Sequence, residues 1–353
     1  MSTLQEAKDA LDHIINIGRA HWYKPVQIAE TLYHSRTDNS VDVSDLESYR
    51  NRSKHWRNDI THRLVGSSSS SSTPYQDNIW NENAMPPRLL VLLDRENKAT
   101  AGAVERYIYL KFEKNLSLIG SIIAYVEAAT PNTFQLSDLL GKFESEPGLK
   151  RSVDKAYEIV VYALFSTLVD QLRATVTLTI DHTRIGLLAE FHDFAEMTLG
   201  ITPANSSITQ SAKLYRVGLT NAADRGLDMW ANFGPAIQVK HIRLDARVAQ
   251  NAADEIRADK MVLVCKQADA AVIASVLNQL GLRDKIRGIV TEHDLTTWYD
   301  KCLHGPYAEV LANDLLQRMV EEFALEFPAE KGFVSFFAER NYASVTAPQV
   351  WEL

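Results

Sequence analysis

The chain has 353 residues, enough for one large domain or two modest ones, and its 46% hydrophobic content allows a sizeable core. A net charge of −8 excludes a generally basic nucleic-acid binder, although a local basic groove can coexist with an acidic remainder. Two cysteines, Cys265 and Cys302, are too few for a zinc cluster or disulfide framework; with the polar start MSTLQEAKDA and no membrane-length apolar run, they predict a soluble cytoplasmic protein.

Thr3 followed by Glu6 is a capping-box signature, and Leu4, Leu11, Ile14 and Ile15 share one face of a helix over 3–19. Pro25 opens a second helix to about residue 35. A third begins at Ser44, with Glu47 three residues on. Leu46, Tyr49, Ser53, Trp56, Ile60 and Leu64 form its predicted buried face. Arg50, Lys54 and Arg57 fall on a different face, at i, i+4 and i+7. Three short helices with a basic face on the third look like a helix-turn-helix unit able to enter a major groove or grip phosphate; a plain solvated face explains the same residues equally well.

The run GSSSSSSTP at 66–74 buries nothing and marks a boundary, with MPP at 85–87 a second break. The expected organisation is a helical recognition region at 1–65, a linker at 66–87, a helical packing region at 88–147 and a core with C-terminal helices at 148–353. Within the packing region, 88–127 and 135–144 read as helices. Residues 149–172 are apolar on all sides after Ala156, which predicts a buried helix. Glu158 lies in that stretch. A buried carboxylate is costly unless paired or bound to metal, so Glu158 is a candidate ligand, with Asp154 the fallback and pairing with Lys155 or Arg151 the structural alternative. ATVTLTI at 174–180 alternates as a strand, 184–199 is helical, and PANSS at 203–207 is a loop.

Residues 213–244 carry the chemistry. AIQVKHI alternates as a strand, with Gln238 and Lys240 on one face and Ile237 and Val239 on the other. A turn around Asn232, Phe233, Gly234 and Pro235 would pair this strand with the one before it and bring Asp228 beside Gln238 and Lys240. That gathers a carboxylate, an amide oxygen and an ammonium, a set suited to phosphodiester hydrolysis. Asp228 is a hard oxygen ligand for Mg²⁺, Gln238 orients or ligates, and Lys240 positions water and stabilises developing charge. Because Gln238 is neutral, a second acid is required: Glu158, or Asp224 on the preceding turn. Arg225 on that turn is a structural residue or a phosphate contact. Acid-x-Lys triplets are common, and Glu96-Asn97-Lys98 and Glu6-Ala7-Lys8 are decoys; Lys240 on a surface strand would be merely solvated.

After this stretch the pattern alternates: helix 245–258, strand 261–265, helix 268–280 stopped by Gly281, strand 286–290, helix 294–303, then helical packing over 306–340. A mixed α/β core sheet with flanking helices is expected. His241 points away from Lys240 and reads as structural. His192, Asp193, Asp181 and His182 lack the i, i+4 histidine spacing of a zinc helix, and no Gly-rich phosphate loop or Gly-x-Ser-x-Gly elbow occurs.

The segments LQEAKDALDHII, HWYKPVQIAE, DLESYRNRSKHWR, EPGLKRSVDKAYEIVVYALFSTLV, YRVGLTNAADRGLDMWANFGPAIQVKHI and VLNQLGLRDKIRGIVT together resemble the HaeII-type restriction endonucleases over nearly the whole chain. That resemblance implies a PD-(D/E)XK nuclease core, with Asp228 and Lys240 catalytic, Gln238 in the place of the usual acid, and Glu158 matching a glutamate on the helix before the sheet. It implies Mg²⁺-dependent cleavage of double-stranded DNA at a palindromic six-base site with a GCGC core, a homodimer, and a matching DNA methyltransferase in the same system. A structure-specific repair nuclease, or a DNA-binding regulator on an inactive sheet, are the alternatives.

Overall fold

Thr3 opens the first helix as its spacing predicts. Its hydroxyl accepts from the Glu6 N–H at 3.2 Å, and the Glu6 carboxylate accepts from the Thr3 N–H at 2.9 Å. This helix, α1, is Leu4–Asn16, and α2 is Tyr23–Thr37, which starts two residues before Pro25. The computed structural model describes residues 3–18, 22–38, 41–66, 79–146, 149, 152–217, 227–245, 247–248, 250–251, 258–269, 271–272, 274–275, 285–327 and 331–353. The chain divides into two compact units: 1–128 with 138–155 and 323–353, and 129–137 with 156–322.

In the first unit the third helix is broken. Ser44 bonds the Asp42 carboxylate instead of capping, and Asp45 caps α3 (Leu46–Tyr49) by accepting from the Glu47 N–H at 3.1 Å. Helix α4 (Arg52–Val65) follows and ends at Gly66, whose φ of 75° is left-handed. Then come α5 (Pro87–Ala99), α6 (Ala103–Glu127) and α7 (Leu136–Ser145). Leu11, Ile28, Tyr49, Leu90 and Phe112 share one core with Phe333 and Phe336 of a C-terminal helix (Phe333–Glu339) and with Trp351. The serine run lies outside the described residues. Val65 before it and Ile79 and Trp80 after it join that same core, so no boundary divides the helices on its two sides. The C-terminal residues also belong with the N-terminal helices, not with the 148–353 block read from sequence.

Helix α8 (Val153–Gln171) leads into the second unit. The strand expected at 174–180 forms as β1 (Thr175–Thr179). It leaves the core and pairs antiparallel with β2 (Ser207–Ser211), with Thr177 opposite Thr209. Between them lie α9 (Ile185–Glu190) and α10 (His192–Leu199). The core sheet holds β3 (Leu214–Arg216), β4 (Met229–Ala231), β5 (Ala236–Arg243), β6 (Met261–Gln267) and β7 (Ile286–Thr291) in that order, the first three antiparallel and the last three parallel. Helix α11 (Glu292–His304) starts at a second capping box, Thr291 with Asp294, and α12 (Ala308–Glu326) follows. The mixed α/β sheet with helices is the expected class. Much of the helices read at 245–258 and 268–280 lies outside the described residues.

Candidate active site

The hairpin forms where the sequence places it. Gly234 takes a φ of 116°, which favours glycine, and the Ala231 N–H donates to the Pro235 carbonyl at 3.1 Å. Met229 then faces Ile237 and Trp230 faces Ala236, a register that sets Asp228 opposite Gln238 where the ladder stops. The Asp228 carboxylate takes over there. Its Oδ2 accepts from the Val239 N–H at 2.7 Å, while its carbonyl accepts from the Val217 N–H at 2.8 Å. The acid is thus held from both sides by backbone, and its oxygens sit at the edge of β5.

On β5, Ala236, Gln238 and Lys240 pair in register with Met261, Leu263 and Cys265 of β6, so these side chains share one face. Gln238 is wholly buried beside the apolar cluster of Ala236, Met261 and Leu263, and Lys240, nearer the strand's end, is half-buried. Asp228 thus stands opposite Gln238, which shares its face of β5 with Lys240.

Glu158 is buried, as its apolar setting requires. Its neighbour Tyr157 lays its ring 4.9 Å from that of His241 and donates its hydroxyl to the Cys265 carbonyl at 3.1 Å. Tyr157 thus ties α8 to the sheet at His241 and Cys265. Helical periodicity reports that Glu158 is buried but not what its side chain faces. Asp224 and Arg225 lie outside the described residues.

The donors present suit a hard divalent ion. Mg²⁺ needs only one or two carboxylates and keeps several waters, and Asp228 with the Gln238 amide oxygen supplies that kind of set. Among the described residues no group of three or more His, Cys, Asp or Glu side chains gathers into a metal-binding cluster.

The basic residues of the third helix separate. Arg50 is exposed and pairs with Glu47 at 3.1 Å, and Lys54 is half-buried. Arg57 is buried, donating from Nη1 to the Gln27 side chain at 3.1 Å and from Nη2 to Asn58 at 3.0 Å. Its assignment to a DNA-facing surface is corrected: Ser53, Arg57, Thr61 and Leu64 of α4 turn inward, where Gln27 takes up the guanidinium. The decoy at 96–98 is structural, with Glu96 accepting from the Trp351 indole at 3.2 Å and Lys98 paired with Asp94 at 2.8 Å. One feature escaped the sequence reading. Tyr215 and Trp230 are cross-strand partners, stacked 4.4 Å apart and half-exposed, with Trp230 two residues from Asp228 on the same side of its strand. Aromatics at paired, alternating positions of β3 and β4 were the available signal.

Residues 7–342 match the family model of the HaeII restriction endonuclease. The chain is 47% identical over 344 residues to the type II restriction enzyme HaeII of Haemophilus aegyptius, covering 97% of this chain and 98% of that protein. It is also 47% identical over 341 residues to the type II restriction enzyme NgoBI of Neisseria gonorrhoeae, covering 96% and 97%. No solved structure matches it. With so much of its length matched, this chain belongs to the HaeII restriction endonuclease family.

Proposed function

We propose that this protein is a type II restriction endonuclease that hydrolyses phosphodiester bonds of double-stranded DNA at a palindromic six-base site with a GCGC core. One observation carries the reading: the hairpin that ends on Asp228 sets its carboxylate against β5 beside Gln238 and Lys240. A bound Mg²⁺ would neutralise phosphate charge and acidify a water. Asp228 would hold it, with the Gln238 oxygen as a neutral second donor. Lys240 orients the attacking water and donates hydrogen bonds to the non-bridging oxygens as charge builds. Val239, through its N–H, fixes the carboxylate's direction. Glu158, buried on α8, is the proposed second acid. Two-fold symmetry of the site calls for a homodimer, one subunit per strand, and a methyltransferase that protects the same sequence in the host.

Digestion of plasmid DNA in Mg²⁺ tests this. Discrete fragments with ends mapping to one palindrome are expected, and EDTA should abolish them. Smears, cuts that follow DNA branches, or retardation of DNA without cutting would contradict it.

Arg50 and Lys54 are the proposed phosphate contacts of the first unit. Their joint replacement by alanine should reduce the slope of log K against log salt by about 1–2, since each lost phosphate contact removes roughly 0.9. Arg57→Ala should leave that slope unchanged and instead lower stability by about 1–3 kcal/mol, because Gln27 loses a buried partner. Titrations of binding at several salt concentrations, with urea unfolding of each variant, check both. An unchanged slope in the double variant would return Arg50 and Lys54 to ordinary solvent-facing residues.

A further inference from the structure

Between α8 and the core sheet the chain runs out along β1 and returns along β2. Alternation puts Thr175, Thr177 and Thr179 of β1 on one face, and the register sets them opposite Ser211, Thr209 and Ser207 of β2. Every side chain on that face of the ribbon is therefore a hydroxyl. The Thr177 and Thr209 hydroxyls meet at 2.9 Å, and those of Thr179 and Ser207 at 3.3 Å. The other face carries Val176, Leu178, Ile208 and Gln210. The small cluster of Leu188, Ala195 and Ile201 packs against it at Ile208. The hydroxyl face is thus turned outward, and all of its residues are exposed except Ser207, which is half-buried.

Valine suits a strand as well as threonine does, so strand propensity alone does not call for a face of hydroxyls. A hydroxyl has one hydrogen to give and two lone pairs to receive. Where two of them bond to each other, one O–H and the remaining lone pairs stay available to a ligand. Duplex DNA is a ligand of that kind. Its major groove admits a two-stranded ribbon and shows acceptors on guanine and a donor on cytosine, and a serine or threonine hydroxyl meets either. Five residues of strand span about 17 Å, the length of about five base pairs. Charge agrees: residues 174–180 and 206–212 include no acid in a chain of net charge −8. Exposed Arg173 and Lys213 flank the root of the ribbon, with Lys213 3.9 Å from Asp170. The ribbon is also built onto the candidate site. Its ladder closes where the Ala212 N–H donates to the Ala174 carbonyl at 2.8 Å. Asn232, in the turn of the hairpin that carries Asp228, donates its side-chain amide to the Ser211 carbonyl at 2.9 Å and accepts from the Lys213 N–H at 2.8 Å. Its own N–H donates to the Lys213 carbonyl at 3.1 Å. From Lys213 the chain passes directly into β3, where Tyr215 stacks on Trp230. The root of the ribbon is therefore bonded to the hairpin that holds the acid.

We propose that the hydroxyl face of β1 and β2 is a base-reading surface that enters the major groove of duplex DNA, with Thr177 and Thr209 at its centre. The identity of the ligand rests on the proposed function, to which the ribbon adds an element that selects the sequence.

Cleavage of plasmid DNA by the full chain tests it. Thr177→Val with Thr209→Val removes two hydroxyls and keeps side-chain shape and strand propensity, so the unfolding temperature should not change. Its kcat/KM should fall about 10-fold or more, mostly through KM, the order of one mismatched base pair. Cutting at sites that differ by one base should rise relative to the cognate site. Thr177→Ser with Thr209→Ser restores both hydroxyls and should recover most of the lost kcat/KM. Wild-type kcat/KM and fidelity in the valine variant overturn the proposal and leave the nuclease reading intact. A serine variant as impaired as the valine one also overturns it. A single cysteine covers the case in which the valines unfold the ribbon. Thr177→Cys carrying a photoactivated azide should cross-link to bases of a short duplex that holds the mapped cleavage site, against a low background because Cys265 and Cys302 are buried. Cross-linking no stronger than from Ser121→Cys, exposed on α6, overturns the proposal. A wild type that retards plasmid DNA without cutting it sinks the nuclease reading. The ribbon is then judged by the sequences selected from random duplexes, and a valine variant that selects the same one as wild type overturns it. A wild type that neither cuts nor retards DNA sinks both.

Discussion

Lys240→Ala is expected to lower the single-turnover rate of DNA cleavage by about 10²–10³-fold, the usual cost of losing one preorganised donor to a charge that develops in the transition state. Binding of DNA in EDTA should persist, because the fold does not depend on this half-buried side chain. Asp228→Asn is the sharper companion. Asparagine has the same length, and its amide oxygen still accepts the Val239 N–H, so the end of the hairpin ladder is preserved while the negative charge disappears. Cleavage should fall at least as far as in the lysine variant, with unfolding temperature nearly unchanged. Asp228→Ala, by contrast, removes the acceptor and should cost stability as well. Rapid-quench assays on supercoiled plasmid, paired with thermal unfolding, separate these effects. Cleavage at the wild-type rate in either Lys240→Ala or Asp228→Asn would remove that residue from the chemistry. Glu158→Gln tests the proposed second acid: a selective loss of the chemical step at an unchanged unfolding temperature is expected, and an effect on stability alone would remove Glu158 from the site.

The largest stability effect is expected at Arg340. Its guanidinium donates to Glu30 at 2.9 Å, and the Tyr109 hydroxyl donates to the other oxygen of the same carboxylate. Glu30 is almost wholly buried, and burial pushes its carboxyl pKa above the usual range, opposed by the nearby Arg340 charge and by the Tyr109 hydrogen bond. Arg340→Ala leaves a buried carboxylate without its cation, a change that costs about 3–5 kcal/mol. The deficit depends on pH with a defined sign. A carboxyl whose folded pKa is raised loses stability as pH rises through that value, and removing Arg340 raises it further. The gap between variant and wild type should therefore be widest at neutral and alkaline pH and narrow as pH falls toward the carboxylate range. Adding Glu30→Gln to Arg340→Ala should recover part of the loss. Urea denaturation across pH reads all of this; a variant as stable as wild type at pH 8 would show that the pair contributes little.

The local signals in this chain were legible because they are short-range. The capping box at Thr3 and Glu6, the turn at Gly234, and the alternation that puts Gln238 and Lys240 on one face each depend on residues within a few positions of one another. The site's central pair of strands was therefore readable before any fold was known. What was not readable is what tertiary packing decides. Glu158 was seen to be buried, but burial read from a sequence does not tell what the side chain faces. Arg57 looked like the next residue of a basic stripe, but Gln27, far away in sequence, draws the guanidinium inward. The strand β2 was missed because its residues, SITQS, have too little apolar alternation to stand out, and it exists through pairing with β1. The serine run gave a strong compositional break, yet the residues on its two sides share a core, so low complexity marked a surface excursion and not a domain limit.

That the C-terminal segment completes the N-terminal unit has a consequence for synthesis. Phe323, Phe333, Phe336 and Trp351 of the core are made after every strand of the sheet, the last of which ends at Thr291. Translation adds about 5–20 residues per second and domains fold largely as units while it proceeds. The sheet is thus in a position to assemble while the N-terminal helices still wait for core residues made later. A chain cut short soon after Thr291 would then carry every strand of the sheet while its first-synthesised helices have no finished core.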